Sequence, residues 1–169
     1  MIPFLLFSLF IILQRTVELA LAKRNEKILK SQGGIEFGKD GYRVIVAMHI
    51  AFFISLICEK VFLHRTLNTY WAFFVTLFVG AQVLRYWAIR SLGVHWNTKV
   101  LVIPGKKLIT RGPYKYIRHP NYVSVLTEIA VIPLIFSCYI TATVFSLLNL
   151  ILLRRRIRIE ESALRASTS

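Results

Sequence analysis

Four long apolar stretches, each bordered by lysine and arginine, constrain this 169-residue chain more than any other feature. The first runs from Ile2 to about Ala22, close to the roughly 20 residues a helix needs to cross the hydrocarbon core of a bilayer. The second runs from about Arg43 to Leu63 and the third from about Tyr70 to Ile89. The fourth, from Asn121 to Leu153, is too long for one crossing, and the polar break at Ser137, Cys138 and Tyr139 divides it into two short helices of a tight hairpin. A backbone in lipid must satisfy its own hydrogen bonds, so such stretches become helices. The expectation is an all-α integral membrane protein, a single domain over 1–169 with about five transmembrane helices at about 2–22, 43–63, 70–89, 121–136 and 139–153. A single tilted helix plus a re-entrant segment is the alternative for the fourth stretch. The first stretch does not read as a cleaved signal, because it lacks a basic leader and carries Arg15 and Glu18 internally.

Composition sharpens this reading. The chain is 56% hydrophobic yet carries a formal net charge of +14, so charge and apolar surface must be segregated along it. The basic residues cluster at the ends of the apolar runs and form no separate module, which favours a membrane surface over nucleic acid as their counterpart. Lys23, Arg24, Lys27, Lys30 and Lys39 follow the first span. Lys99, Lys106, Lys107, Arg111, Lys115 and Arg118 follow the third, and Arg154, Arg155, Arg156, Arg158 and Arg165 follow the last. Five spans put all three groups on one side, whereas the opposite loop offers only Lys60 and Arg65. Cytoplasmic loops are enriched in Lys and Arg. The N-terminus is therefore expected outside, and the loop at 92–119 and the C-terminus inside, in what reads as a bacterial cytoplasmic membrane. Arg15, Glu18, Gln82 and Arg85 lie within spans, where such groups are costly unless paired. They read as an interhelical polar network toward the cytoplasmic side, with a substrate-pocket role second.

Neither cysteines nor histidines announce a metal site. Cys58 and Cys138 form no CxxC pair and both fall toward the outer side, where a disulfide is conceivable; His49, His64, His95 and His119 lack ligand spacing. Gly33-Gly34, Gly38 and Gly41 precede a span and follow no strand, unlike a Rossmann nucleotide loop. The informative segment is 92–118, rich in turn residues: Gly93, Pro104, Gly105, Gly112 and Pro113. Val100 to Ile103 suits an extended conformation, and Pro120 suits the first turn of the fourth helix, where its missing N–H costs nothing.

The run LITRGPYKYIRHPNY, followed after the hydrophobic hairpin by RIRIEESAL, resembles the isoprenylcysteine carboxyl methyltransferase family and its small bacterial members. The likeness covers roughly Leu92 to Leu164, with supporting matches at Gln14-Arg15-Thr16-Val17-Glu18-Leu19, Lys23-Arg24-Asn25-Glu26 and Met48-His49. It implies a membrane-embedded O-methyltransferase using S-adenosyl-L-methionine, with the loop before the RHP motif, the motif itself and the glutamates after the last span around the cofactor. Carried over residue by residue, Lys106, Lys107, Leu108, Ile109 and Tyr114 would line the cofactor, and His119, Pro120, Asn121 and Tyr122 would form the wall on the RHP side. Glu160 would face the cofactor and Arg156, four residues earlier and on the same helical face, the methyl acceptor. Arg85 and Arg118 are the next candidates to hold that acceptor. The implied acceptor is a lipophilic molecule entering from the bilayer, a prenylcysteine, an alkylpyrone or another lipid. Family members usually continue past the glutamates with an aromatic-containing tail, whereas this sequence ends at Ser169, so contacts from such a tail are not expected.

The same residues have plainer readings. The arginine run suits any cytoplasmic helix end, Glu160 and Glu161 suit exposed partners for it, and His119 suits a satisfied interface histidine. Tyr114, Tyr116, Tyr122 and Trp96 suit the aromatic belt of a membrane interface. RHPNY also occurs in sterol reductases, which leaves an NADPH-dependent membrane reductase as the rival enzyme and a non-enzymatic scaffold as the rival of another class. An acceptor that is an acid or acidic enol is ionised at neutral pH, so the lack of an obvious general base does not count against methyl transfer.

Overall fold

The computed structural model describes residues 1–106 and 109–168. Lys107 and Leu108, two of the expected cofactor-lining residues, lie outside the described residues. The helices are α1 (Ile2–Ser31), α2 (Lys39–Phe62), α3 (Trp71–Leu92), α4 (Pro120–Ile135) and α5 (Tyr139–Thr168). Two short strands, β1 (Ile35–Phe37) and β2 (Val100–Val102), complete the regular structure with 3-10 turns at Gly93–His95 and Gly112–Lys115. The first three helices are each long and apolar enough to span a membrane, and α4 is a shorter apolar helix. This is the all-α membrane architecture the apolar runs call for, with α4 and α5 as the expected hairpin.

At the hairpin turn, Ser137 takes a positive φ of 56° and the Cys138 N–H donates back to the Pro133 carbonyl at 2.9 Å. That contact satisfies a carbonyl that α4 would otherwise leave orphaned. The start of α5 is satisfied from another helix. The Glu59 carboxylate on α2 accepts from the backbone N–H groups of Thr141 at 2.7 Å and Ile140 at 3.2 Å, and Arg65 pairs with it at 3.3 Å. An anion at a helix N-terminus is favourable both as a hydrogen-bond acceptor and as a partner of the helix dipole. Cys58 is exposed and Cys138 buried, and both are free thiols, so the conceivable disulfide is not formed.

The core between the helices is aromatic and aliphatic. Phe4 and Phe7 of α1 stack edge-on against Phe136, and Phe7 also meets Phe78 of α3. Phe52 of α2 meets Phe145 of α5 in the same manner.

One expectation changes at the loop end. The helix of the first span does not stop near Ala22 but continues to Ser31, so Lys23, Arg24, Lys27 and Lys30 lie on a helical extension and not in a loop. At about 1.5 Å per residue, that extension projects roughly 13 Å beyond the apolar run. As the shared helical face of Arg156 and Glu160 implies, α5 continues past the apolar run near Leu153 and carries the arginines and glutamates onward to Thr168. Between these helices β1 pairs antiparallel with β2, in the register Ile35↔Val102 and Phe37↔Val100. A lone two-stranded ribbon is marginal in water. Here Phe37, Val100 and Val102 bury against Ala163 and Leu164 of α5. Glu26 and Glu36 clamp the other side, each facing both Lys30 and Lys99 at 2.6 to 3.5 Å. The first loop, the loop at 92–119 and the end of α5 thus meet at one end of the bundle, as five spans require.

The intramembrane polar residues do form a network, and it has a member that sequence reasoning overlooked. Glu128 of α4, 1% exposed, accepts from Gln82 at 2.9 Å and from Arg85 Nε at 3.0 Å and Nη2 at 2.6 Å, with Arg15 on the same carboxylate. Glu18 takes the remaining guanidinium groups, Arg15 at 2.7 Å and Arg85 at 3.2 Å. Two arginines and two glutamates cancel in charge and tie α1, α3 and α4 together. This locked arrangement removes Arg85 as a candidate to hold an acceptor.

Candidate active site

The site is built from the end of α1 outward. Asn25 on the helical extension donates to the carbonyls of Trp96 at 2.7 Å and Gly93 at 3.2 Å, and Asn97 donates back to the Ala22 carbonyl at 2.9 Å. These bonds turn the chain leaving α3 across the mouth of the bundle and aim it into β2. The returning segment is pinned at Gly112, whose φ is +62°, a conformation that favours glycine. A Cβ there would lie 1.9 Å from Ser91 Oγ and 3.1 Å from Trp87 Nε1. Arg111 Nε adds a bond to the Ser91 carbonyl at 2.8 Å. Gly112→Ala should therefore destabilise the protein by about 1 to 3 kcal/mol through backbone strain and collision. Ser91→Gly in the same chain should restore part of the loss in thermal unfolding, and no restoration would mean that the collision is not the cause.

Beyond that turn, His119 precedes the helix and Pro120 opens α4, as the sequence indicates. A cavity of about 600 Å³ results, bounded by the chain from Leu92 to Ile103, the segment 109–122 and one face of α5. Lys106, Ile109, Tyr114, His119, Asn121, Tyr122, Arg156 and Glu160 all line it. Pro120 does not: it is fully buried in the first turn of α4 and shapes the wall only by fixing where the helix begins. Its volume is in the ordinary range for small-molecule sites.

One hydrogen-bonded chain crosses the cavity. Tyr122 donates its hydroxyl proton to Glu160 and accepts from Arg156 Nε at 2.8 Å. Arg156 Nη2 donates to the Thr98 carbonyl, while among the described residues its Nη1 has no partner. The His119 ring stacks on Tyr122 with centroids 5.3 Å apart and meets Glu161 at 3.3 Å. Glu160 is thus turned toward Tyr122 and the cavity, while Glu161 pairs along the helix with Arg165 at 3.9 Å. Tyr114 has its phenol pKa raised by burial and by the Glu160 charge, which keeps it protonated and able to donate.

Trp96 departs most from its sequence reading. It is 2% exposed and faces the cavity, not the membrane interface. Among the described residues, its indole N–H and the side-chain oxygen of Asn121 are both buried without a hydrogen-bond partner. Unpaired buried polar atoms are costly, and two of them on one cavity wall suit a ligand rich in donors and acceptors. Only the side-chain bonds of Asn25 and Asn97 show that Trp96 is drawn inward, a signal without local periodicity.

The model of the isoprenylcysteine carboxyl methyltransferase family matches residues 73–166, which take in nearly all of α3, the whole loop region, α4 and nearly all of α5. The chain belongs to this family. Isoprenylcysteine carboxyl methyltransferase membership makes it a membrane methyltransferase, and the matched region contains every described residue of the cavity wall. The uncharacterized protein YpbQ of Bacillus subtilis (strain 168) is 45% identical over 161 residues, covering 95% of this chain and 96% of its own length. An uncharacterized protein of Haemophilus influenzae is 28% identical over 151 residues, covering 89% of this chain and 88% of its own length.

Proposed function

We propose that the protein transfers the methyl group of S-adenosyl-L-methionine to an anionic oxygen, a carboxylate or an enolate, of a lipophilic acceptor drawn from the bilayer. The observation that carries this reading is the Arg156–Tyr122–Glu160 chain inside one cavity at the end of the membrane helices, on whose wall two buried polar atoms have no partner among the described residues. When bound, the cofactor supplies an activated sulfonium methyl. Glu160, Tyr114, Asn121 and the Trp96 N–H are the groups suited to hold its amine, hydroxyls and base. Lys106, Ile109 and His119 complete the wall.

Arg156 holds the acceptor. Its Nε and Nη2 are spent on Tyr122 and Thr98, which orients the guanidinium plane and leaves Nη1 to bind an oxyanion in a charge-assisted bond. Tyr114 stays protonated and Glu160 is already accepting from Tyr122, so neither is poised as a base. The acceptor therefore has to arrive ionised. Attack of an anion on a sulfonium neutralises charge, so loss of water from the site when both ligands are bound favours the step. Positioning supplies the rest.

Binding of S-adenosylhomocysteine tests this directly. It should raise the thermal stability of the purified protein, whereas NADPH should not. Glu160→Ala and His119→Ala should each weaken that binding by about 1 to 3 kcal/mol, the first by removing a buried acceptor and the second by freeing Tyr122. Unchanged affinity in both variants would move the cofactor out of this cavity.

The proposed orientation places the cavity on the cytoplasmic side of the bacterial membrane. In a Cys58→Ser background, Ser31→Cys is expected to resist a membrane-impermeant thiol reagent in intact cells, and Thr66→Cys to react. The reverse pattern would invert the topology and remove access of a cytoplasmic cofactor.

A further inference from the structure

The last turn of α3 and the segment 111–118 present a cationic face with no carboxylate partner among the described residues. Arg90, Arg111, Lys115 and Arg118 are all exposed there. Among the described residues none of the four has a carboxylate within ion-pair distance. Lys30 and Lys99, at the same end of the bundle, are by contrast both held between Glu26 and Glu36. Lys23, Arg24, Lys27, Arg154, Arg155 and Arg158 are also exposed without a carboxylate partner among the described residues, so what sets this face apart is the apolar surface beside its cations. The Arg111 bond to the Ser91 carbonyl, one residue from Arg90, and the close seat of Gly112 on Ser91 and Trp87 hold the two segments together.

The same face exposes apolar groups. Tyr116 is 75% exposed and Ile117 38%, with Lys115 Nζ 5.8 Å from the Tyr116 ring centroid, while Tyr86 and Trp87 are exposed on the adjoining turns of α3. The patch lies between the end of α3 and the start of α4, the level at which the membrane-spanning apolar runs end. Aromatic residues beside cations at that depth match a bilayer interface. A soluble anion would neutralise the cations but leave Tyr116 and Ile117 in water. A phospholipid satisfies both, its phosphate among the guanidinium groups and its upper acyl chain against the rings.

We propose that this face binds an anionic phospholipid, with Arg90, Arg111, Lys115 and Arg118 around the headgroup phosphate and Tyr116 and Ile117 against its acyl chains. Because Arg118 also lines the cavity, the bound lipid stands at the cavity rim. The proposal is independent of the methyl-transfer chemistry.

The test uses the full chain carrying Tyr116→Trp, in lipid nanodiscs of phosphatidylcholine with a minor share of phosphatidylglycerol brominated on its acyl chains. The fluorescence difference from the unsubstituted chain reports quenching at position 116. Quenching should correspond to an enrichment of phosphatidylglycerol of about fivefold over its mole fraction, the ratio that the attraction of roughly one interfacial cation supplies. Adding Arg90→Glu and Lys115→Glu should return it to the mole-fraction value, while the thermal unfolding midpoint stays near that of the unsubstituted chain and so shows the fold to be intact. Quenching at the mole-fraction value before those changes would overturn the proposal. So would its abolition by inorganic phosphate but not by chloride at equal ionic strength, which would assign the face to a soluble anion.

Discussion

Arg156→Ala is expected to lower turnover about a hundredfold or more, the scale of losing acceptor alignment, while affinity for S-adenosylhomocysteine stays nearly unchanged. The separation follows from geometry. Arg156 touches the Tyr122 hydroxyl from one side, and Glu160 accepts from it on the other. Removing the guanidinium leaves Tyr122 bonded to Glu160 and stacked on His119, so the cofactor wall stays in place. Arg156→Lys is the sharper probe, because it keeps the charge but cannot hold both Tyr122 and Thr98 while presenting a third donor at a fixed angle. Single-turnover methyl transfer to a lipid extract, measured beside cofactor binding, gives both quantities. Full activity in the lysine variant would mean that charge alone suffices. Full activity in the alanine variant would return Arg156 to its neighbours as a topology signal and leave Arg118, on the cavity wall, to hold the acceptor.

Glu128→Ala should be the most destabilising of the substitutions considered, by about 3 to 5 kcal/mol, the range for removing one partner of a buried ion pair. Its carboxylate is the meeting point of Arg15, Gln82 and Arg85, and alanine would leave two guanidinium groups with Glu18 as their only carboxylate. Arg85→Met alone should be costly for the opposite reason, stranding Glu128 with only Arg15 as a charged partner. The double variant Arg85→Met with Glu128→Leu removes one charge of each sign and leaves the Arg15–Glu18 pair at 2.7 Å. It should therefore lose less than the sum of the two single changes, the signature of direct coupling. Thermal unfolding of the four proteins in one detergent makes the comparison. Additive losses would show that the carboxylate and the guanidinium contribute independently, and the network would not be a unit.

Much of the architecture was legible in local sequence because its cause is local. A run of apolar side chains about 20 residues long has no alternative in lipid to a hydrogen-bonded helix. A polar Ser137-Cys138 break in a run too long for one crossing forces a turn, and the turn is there, with Ser137 at positive φ. Basic residues after the first, third and last spans placed three segments on one side, and β1, β2 and α5 do pack together at one end. Pro120 marked the start of α4 for the same local reason. The RHPNY and EE motifs named the side chains His119, Asn121, Tyr122 and Glu160 of the cavity wall, although no local rule says that Tyr122 would stand between Arg156 and Glu160.

Tertiary structure decided whatever depends on a partner distant in sequence. Hydropathy ended the first span near Ala22, but α1 runs on to Ser31, because Asn25 and Glu26 find partners in the loop after α3. β1 exists because β2 and the end of α5 give its three residues something to pair with and bury against. Glu59 gives no local sign of its role until the start of α5 is placed over it. Glu128 sits in an apolar run with no local sign of Arg15, Gln82 and Arg85, and Trp96 resembles an interface aromatic until Asn25 draws its backbone inward. Burial in lipid is settled by the side chains of one helix, whereas the match of a buried polar group to its partner is settled only when the helices are packed, since an unpaired charge there costs several kcal/mol.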